Sequence, residues 1–263
     1  MLANYHTHTT FCDGKNTAEE VVLTAVEKGF DALGFSSHGA SPRYGLRDTV
    51  EYRREITRLK EKYKDKIQIY VGIEEDASIL MERGEFDYLI GSMHYICKEG
   101  KYYPIDSNPE RFAECLALFG GDELTFAENY YESYCRYIKS RRPDIVAHFD
   151  LITKFDEVGA SNFFSDERYM AASERYMQLA AENDVIFEVN TGAISRGYRS
   201  SPYPHERLLH VLKQCGGKVM LNSDSHAADT LDCFFAEAAA MLRDVGFKHR
   251  YVIYDGAFQK IPL

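Results

Sequence analysis

None of the six cysteines, Cys12, Cys97, Cys115, Cys135, Cys215 and Cys233, stands in a CxxC pair, which excludes paired-thiol metal and redox motifs. No apolar run approaches the roughly 20 residues needed to cross a bilayer. The first residues lack the charged-then-apolar order of a signal peptide. Together these absences lead us to expect a cytoplasmic protein with reduced thiols and no membrane partner. Basic clusters are equally scarce, limited to Arg53-Arg54 and Lys139 to Arg142, both on segments of helical period where a solvated face explains them. With 41 acidic against 31 basic residues and a net charge of -10, the chain would repel a nucleic-acid backbone, and no nucleic-acid partner is expected. There is no internal repeat, low-complexity tract or linker, so residues 1–263 are expected to form one domain.

What is present is ordinary globular material, 45% apolar and 27% charged, enough to bury a substantial core. Short β-rich runs alternate with longer stretches of helical period, the pattern of repeated βα units around a parallel sheet. The runs are Leu2 to His6, Ala32 to Ser36, Ile67 to Ile73, Tyr88 to Gly91, Asp144 to Ala147, Val185 to Val189, Lys218 to Asn222 and Tyr251 to Tyr254, giving seven or eight strands. Thr17 followed three residues later by Glu20 predicts a capping box, with Val21, Val22, Ala25 and Val26 as the buried stripe of the helix it opens. Further helices are predicted over Val50 to Tyr63, Glu123 to Ser140, Asp166 to Asn183, His205 to Gln214 and Asp229 to Val245. Cys97 to Asn108 and Gly192 to Pro204 read as loops.

Of nine histidines, six fall at or just after predicted strand ends: His6, His8, His38, His94, His148 and His226. In a parallel strand-helix barrel those ends converge on one face, where active sites lie. His6 and His8 are two residues apart, and so are Asp224 and His226, a spacing that points both side chains of an extended pair the same way. The run Glu74-Glu75-Asp76 follows an apolar strand, an expensive place for carboxylates unless a positive charge compensates or the run is a solvated loop. Period two puts Glu74 and Asp76 on one face and Glu75 on the other. Asp13, in a Cys-Asp-Gly turn, either caps that turn or joins the cluster. His205, His210 and His249 lie outside the pattern and are read as structural.

The motifs His6-x-His8, Ser36-Ser-His38, Gly72-x-Glu74, Gly91-Ser-Met-His94, Ala147-His148, Glu188-Val-Asn190-Thr and Asn222-Ser-Asp224-Ser-His226 occur in this order over essentially the whole chain. In this the sequence resembles the PHP (polymerase and histidinol phosphatase) family, most closely its monofunctional histidinol-phosphatase branch. The resemblance implies an α/β fold, a distorted (β/α)7 TIM-like barrel, and three divalent metal ions. One ion would be held by His6, His8, Glu74 and Asp224; Glu74 would bridge to a second that also takes His94 and His148; Asp13, His38 and His226 would hold the third. Imidazole with carboxylate suits zinc, iron or manganese, whereas calcium prefers oxygen alone. Three such ions against three carboxylates leave about +3, a centre that attracts a phosphate dianion.

The implied reaction is hydrolysis of a small phosphate monoester by a metal-activated hydroxide, with Glu74, Asp224 and His226 as the catalytic cluster and L-histidinol phosphate as the substrate of that branch. Arg196 and Arg199, in the loop before Tyr203-Pro204, are the candidates for phosphate binding; Arg196 is the nearer match, and Arg199 is equally a surface arginine. No general acid is assigned, Asp150 being a weak candidate. The segment Lys101 to Asp106 either contributes to the substrate pocket or is simply an ordered loop. Two other readings are a phosphoesterase acting on another monoester or on nucleotide ends, and a noncatalytic metal-binding module.

Overall fold

In the computed structural model, which describes residues 1–41 and 45–263, strands and helices alternate. The first half comprises β1 (Ala3–Asn4), α1 (Ala18–Glu27), β2 (Ala32–Phe35), α2 (Thr49–Lys62), β3 (Gln68–Asp76), β4 (Tyr88–Ser92), β5 (Tyr95–Lys98), β6 (Lys101–Pro104), α3 (Pro109–Ala117) and α4 (Glu123–Arg141). It continues with β7 (Ile145–Val146), α5 (Glu167–Ala181), β8 (Ile186–Asn190), α6 (Gly192–Ser195), α7 (Glu206–Gln214), β9 (Lys218–Asn222), α8 (Phe235–Val245), β10 (His249–Tyr254) and β11 (Ala257–Pro262).

Seven strands form one parallel sheet in the spatial order β1-β2-β3-β4-β7-β8-β9. The outermost strands meet without a ladder. Just past their ends Thr7 bridges Ser225, with His8 N donating to Ser225 O at 2.8 Å and Ser225 N to His6 O at 3.1 Å. The result is the nearly closed, distorted (β/α)7 barrel that the strand pattern and the family resemblance implied. Its strands are buried along almost their whole length, as expected where helices cover the outer face and side chains fill the inner one. Tyr5, Tyr70, Tyr88, Ile90, Ile145, Ile186 and Met220 pack together in the interior. Gly72 is required there, because a Cβ at that position would sit 2.2 Å from the Tyr88 ring. The capping box of α1 forms as predicted, Thr17 N donating to Glu20 Oε2 at 2.8 Å and Glu20 N to Thr17 Oγ1 at 3.3 Å.

Four local differences from the sequence reading have physical causes. Tyr251 to Tyr254 is not an eighth barrel strand: β10 pairs antiparallel with β11 around Asp255-Gly256, whose φ values of 49° and 73° suit a two-residue hairpin turn. That hairpin covers the N-terminal end of the barrel, burying Val252 and Ile253 against the interior, with Tyr5 Oη donating to Ile253 O at 2.7 Å. The segment from Cys97 holds a second hairpin, β5 with β6, turning at Glu99-Gly100, again both at positive φ. Gly192 to Pro204 contains the one-turn helix α6. The predicted Asp229 to Val245 helix is interrupted, because Phe234 adopts φ 62° and α8 begins after it. No helix of the described residues is long and apolar enough to cross a membrane.

Candidate active site

Every strand-end histidine arrives at the C-terminal mouth of the barrel around Glu74, which β3 carries inward and buries to 1% exposure. Glu74 Oε1 lies 3.5 Å from His6 Nε2, 3.4 Å from His94 Nε2 and 3.2 Å from His148 Nε2. Its Oε2 lies 2.7 Å from His38 Nδ1 and 3.6 Å from His8 Nε2. Asp224, held at φ 47°, places Oδ1 3.1 Å from His8 Nε2 and 3.6 Å from His6 Nε2. Asp13 reaches His38 Nε2 at 3.6 Å and His226 Nε2 at 3.4 Å.

Donor atoms close enough to share an ion form four overlapping groups: His6, His8 and Asp224; His6, Glu74 and His148; His38, Glu74 and His94; and His8, Asp13, His38 and His226. All nine residues singled out as ligands therefore meet. Glu74 joins two groups, as implied, but the grouping differs in detail: His94 and His148 fall in separate groups with it, Glu74 is outside the group of His6, His8 and Asp224, and His38 stands between Glu74 and Asp13.

The outer nitrogens explain why the inner ones face the centre. Glu188 Oε1 takes a hydrogen bond from His6 Nδ1 at 2.7 Å, and Asp76 Oδ2 lies 3.1 Å from His94 Nδ1. An Nδ1–H donated outward fixes the tautomer that presents a lone pair at Nε2. Glu188 is itself held by Asn190 Nδ2 at 2.7 Å and Asn222 Nδ2 at 3.0 Å, which accounts for the asparagines of both motifs. His6 Nε2 and His8 Nε2 are buried without a hydrogen-bond partner. Buried acceptors left unmade are costly, and an ion is the partner that nitrogen and carboxylate donors at these positions fit.

Balanced by the chain's own groups alone, the carboxylates draw a proton onto His6 instead. Burial opposes protonation of His6, but Glu188, Asp224 and Glu74 outweigh it and hold its pKa well above the ordinary value. Burial together with His226 and His38 pushes His8 down to about 3. Burial disfavours the charged forms of Glu74 and Asp224, yet His38 and His6 beside the first, and Arg196 and His6 beside the second, keep both carboxyls well below the usual carboxylate range. These carboxylates are charged, and positive charge is what they face.

A cavity of about 330 Å³ opens above the cluster, with His38, His94, His148 and His226 in its floor and Arg196, Lys154, Tyr198 and Asp106 in its walls. Arg196 Nη2 donates to Asp224 Oδ2 at 2.9 Å, while its buried Nε has no partner. Gly192 makes room for it, since a Cβ there would lie 2.9 Å from Arg196 Nη2. Arg199 corrects the sequence reading, for it neither lines the cavity nor faces solvent. It is buried with Nη1 2.9 Å from Thr153 Oγ1 and 3.6 Å from Asp150 Oδ2, its guanidinium 4.2 Å from the Tyr203 ring. Asp150 is thereby a structural partner of Arg199 and of His205 N, at 2.9 Å.

One wall residue, Lys154, escaped the sequence reading, while Asp106 ends the segment that reading left open between pocket and ordered loop. Lys154, 8% exposed, sits on a 3₁₀ turn six residues past His148, and burial presses its pKa down against the pull of Asp106. Asp106 follows β6. The only signal in the sequence for Lys154 was its place in a loop beyond a strand end.

A barrel with buried imidazoles and carboxylates converging at its strand ends defines a metal-dependent hydrolase. The chain belongs to the PHP domain family, whose model matches residues 4–192, leaving Asp224 and His226 beyond the matched segment. Among similar proteins is one from Schizosaccharomyces pombe named "Probable histidinol-phosphatase", 27% identical and covering 97% of this chain and 90% of that protein. The histidinol-phosphatase of Bacillus subtilis is 25% identical, covering 85% of this chain and 92% of its own length. The fold is shared with a crystal structure of histidinol phosphate phosphatase from Lactococcus lactis complexed with zinc, L-histidinol and phosphate. That likeness has a TM-score of 0.74 at 19% identity, covering 98% of each chain.

Proposed function

We propose that this chain is a metal-dependent phosphomonoesterase that hydrolyses L-histidinol phosphate to L-histidinol and phosphate, in the cytoplasm, with three divalent ions. One observation carries the reading: six residues of the donor cluster, Asp13, His38, His94, His148, Asp224 and His226, line the same small cavity as two cationic side chains, Arg196 and Lys154. The relatives' names support the substrate. His6, His8, Asp224 and Glu74 would hold one ion, Glu74 with His94 and His148 a second, and Asp13 with His38 and His226 a third. Zinc, iron or manganese bound there supplies Lewis acidity and an acidified water as nucleophile. The chain's own part is positioning. Glu188 and Asp76 orient imidazoles, and Arg196 and Lys154 present N–H donors to phosphate oxygens and stabilise charge as the ester bond breaks. A cavity of this size admits a small ester and excludes a folded polymer.

The test is turnover of a panel of phosphate esters, with metal content measured on the same preparation. L-Histidinol phosphate should give the highest kcat/KM, from protein holding more than one metal equivalent per chain. A nucleotide or sugar phosphate turned over far faster than histidinol phosphate would overturn the substrate.

A further inference from the structure

Asp106 has no part in the metal cluster, yet its side chain lies in the wall of a cavity suited to a dianion. A carboxylate there repels phosphate, so its presence calls for a compensating role. Pairing with Lys154 answers part of that charge, but as an ion pair without a hydrogen bond. Lys154 Nζ donates to the Asp106 backbone carbonyl at 2.7 Å, a contact any residue would supply. The Asp106 carboxylate Oδ2 is 3.7 Å from that ammonium, beyond hydrogen-bond reach, and no described residue donates to it. Asp13 and Asp224, the other carboxylates of the cavity, are both within donor groups of the cluster. Asp106 is the one carboxylate left over.

Pro104, Ser107, Leu151 and Tyr198 line the same cavity and add apolar and aromatic surface and two hydroxyls. Burial disfavours the charged carboxylate, but Lys154, His94 and His148 more than offset it, so Asp106 is an anion at neutral pH. Lys154 stands beside both Asp106 and Tyr198, its Nζ 3.7 Å from Asp106 Oδ2 and 5.2 Å from the centre of the Tyr198 ring, so a phosphate held by the metal cluster, Arg196 and Lys154 has the Asp106 carboxylate at its edge.

We propose that Asp106 sets specificity by accepting a charge-assisted hydrogen bond from a protonated amine on the alcohol half of the substrate, selecting phosphate esters of amino alcohols over those of neutral alcohols. The inference rests on the phosphomonoesterase reading above and deepens it.

The experiment measures kcat/KM of wild type and Asp106→Asn, as metal-loaded proteins, on two esters: L-histidinol phosphate and the imidazolyl-alkyl phosphate that lacks its amine. Wild type should prefer the amine-bearing ester. Asp106→Asn should lose roughly ten- to hundred-fold on that ester, the range of a charge-assisted hydrogen bond, and change little on the other. Asp106→Glu, which keeps the charge, should recover part of the preference. Equal losses on both esters would show that Asp106 only positions Lys154, and would overturn the inference while leaving the phosphatase reading intact. Wild type with no preference for the amine would overturn the inference alone, whereas no turnover of either ester would overturn the phosphatase reading beneath it. Should Asp106→Asn fail to fold, inhibition of wild type by L-histidinol and by its deaminated analogue serves instead, and equal inhibition would sink the idea.

Discussion

Glu74 and Glu75 are neighbours on β3, both buried, and they live in opposite worlds. Glu75 points outward and is fully answered: Arg141 Nε and Nη2 donate at 2.7 and 2.6 Å, Tyr137 Oη at 2.8 Å, and Met81 N also bonds to it. Glu74 points inward to five imidazoles and, among the described residues, has no lysine or arginine partner. The same pairing recurs in the loop after β8, where Arg199 is enclosed by Asp150, Thr153 and Tyr203 while Arg196 opens on the cavity. A buried charge completed by protein serves the fold, and one left facing an open centre serves chemistry.

Substitution should separate the two kinds. Glu74→Gln is expected to lose more than one metal equivalent and at least ~10³-fold in kcat/KM, because several kcal/mol of charge stabilisation leave with the ions. Wild-type metal content in that variant would break the comparison. Glu75→Gln should do the reverse, costing about 3 kcal/mol by stranding Arg141, which is one-fifth exposed, while the folded fraction keeps its metals. Denaturant unfolding beside metal analysis reads both.

For the arginines, Arg196→Ala should lower kcat/KM roughly ten- to hundred-fold with metals in place. Unchanged turnover would move the phosphate clamp to Lys154 alone. Asp76→Asn should weaken metal binding at the His94 group by about tenfold, measured by competition with a chelator. Arg199→Ala should have the smallest effect on turnover and show itself in the melting temperature instead.

How much of this was legible beforehand follows from range. The donor residues sit at strand ends, and strand ends are short local patterns; His6 with His8 and Asp224 with His226 could be read as pairs facing one way. The split between Glu74 and Glu75 followed from period two alone. What was not legible depended on distant partners. Whether Arg199 turned inward depended on Asp150, some 50 residues earlier, and nothing near it in the chain says so. Asp106 and Lys154 come from separate loops with weak periodicity, and only the folded chain shows that they share a wall. The two missed hairpins are four- and six-residue strands whose turns, Glu99-Gly100 and Asp255-Gly256, carried the available signal.

The seam of the barrel has one more consequence. β1 and β9 do not hydrogen-bond as a ladder, and beyond their ends the chain's first and last ligand pairs, His6 with His8 and Asp224 with His226, face each other. An ion gripped by His6, His8 and Asp224 would clasp segments from opposite ends of the sequence, and cross-links spanning the longest loops restrict the unfolded chain most. Stripping the metal should then quicken amide exchange in β1 and β9 ahead of β4, on the far side of the ring. Loading the cofactor would be an act of cyclisation: the same ion that arms the catalyst would turn an open hoop of strands into a closed one.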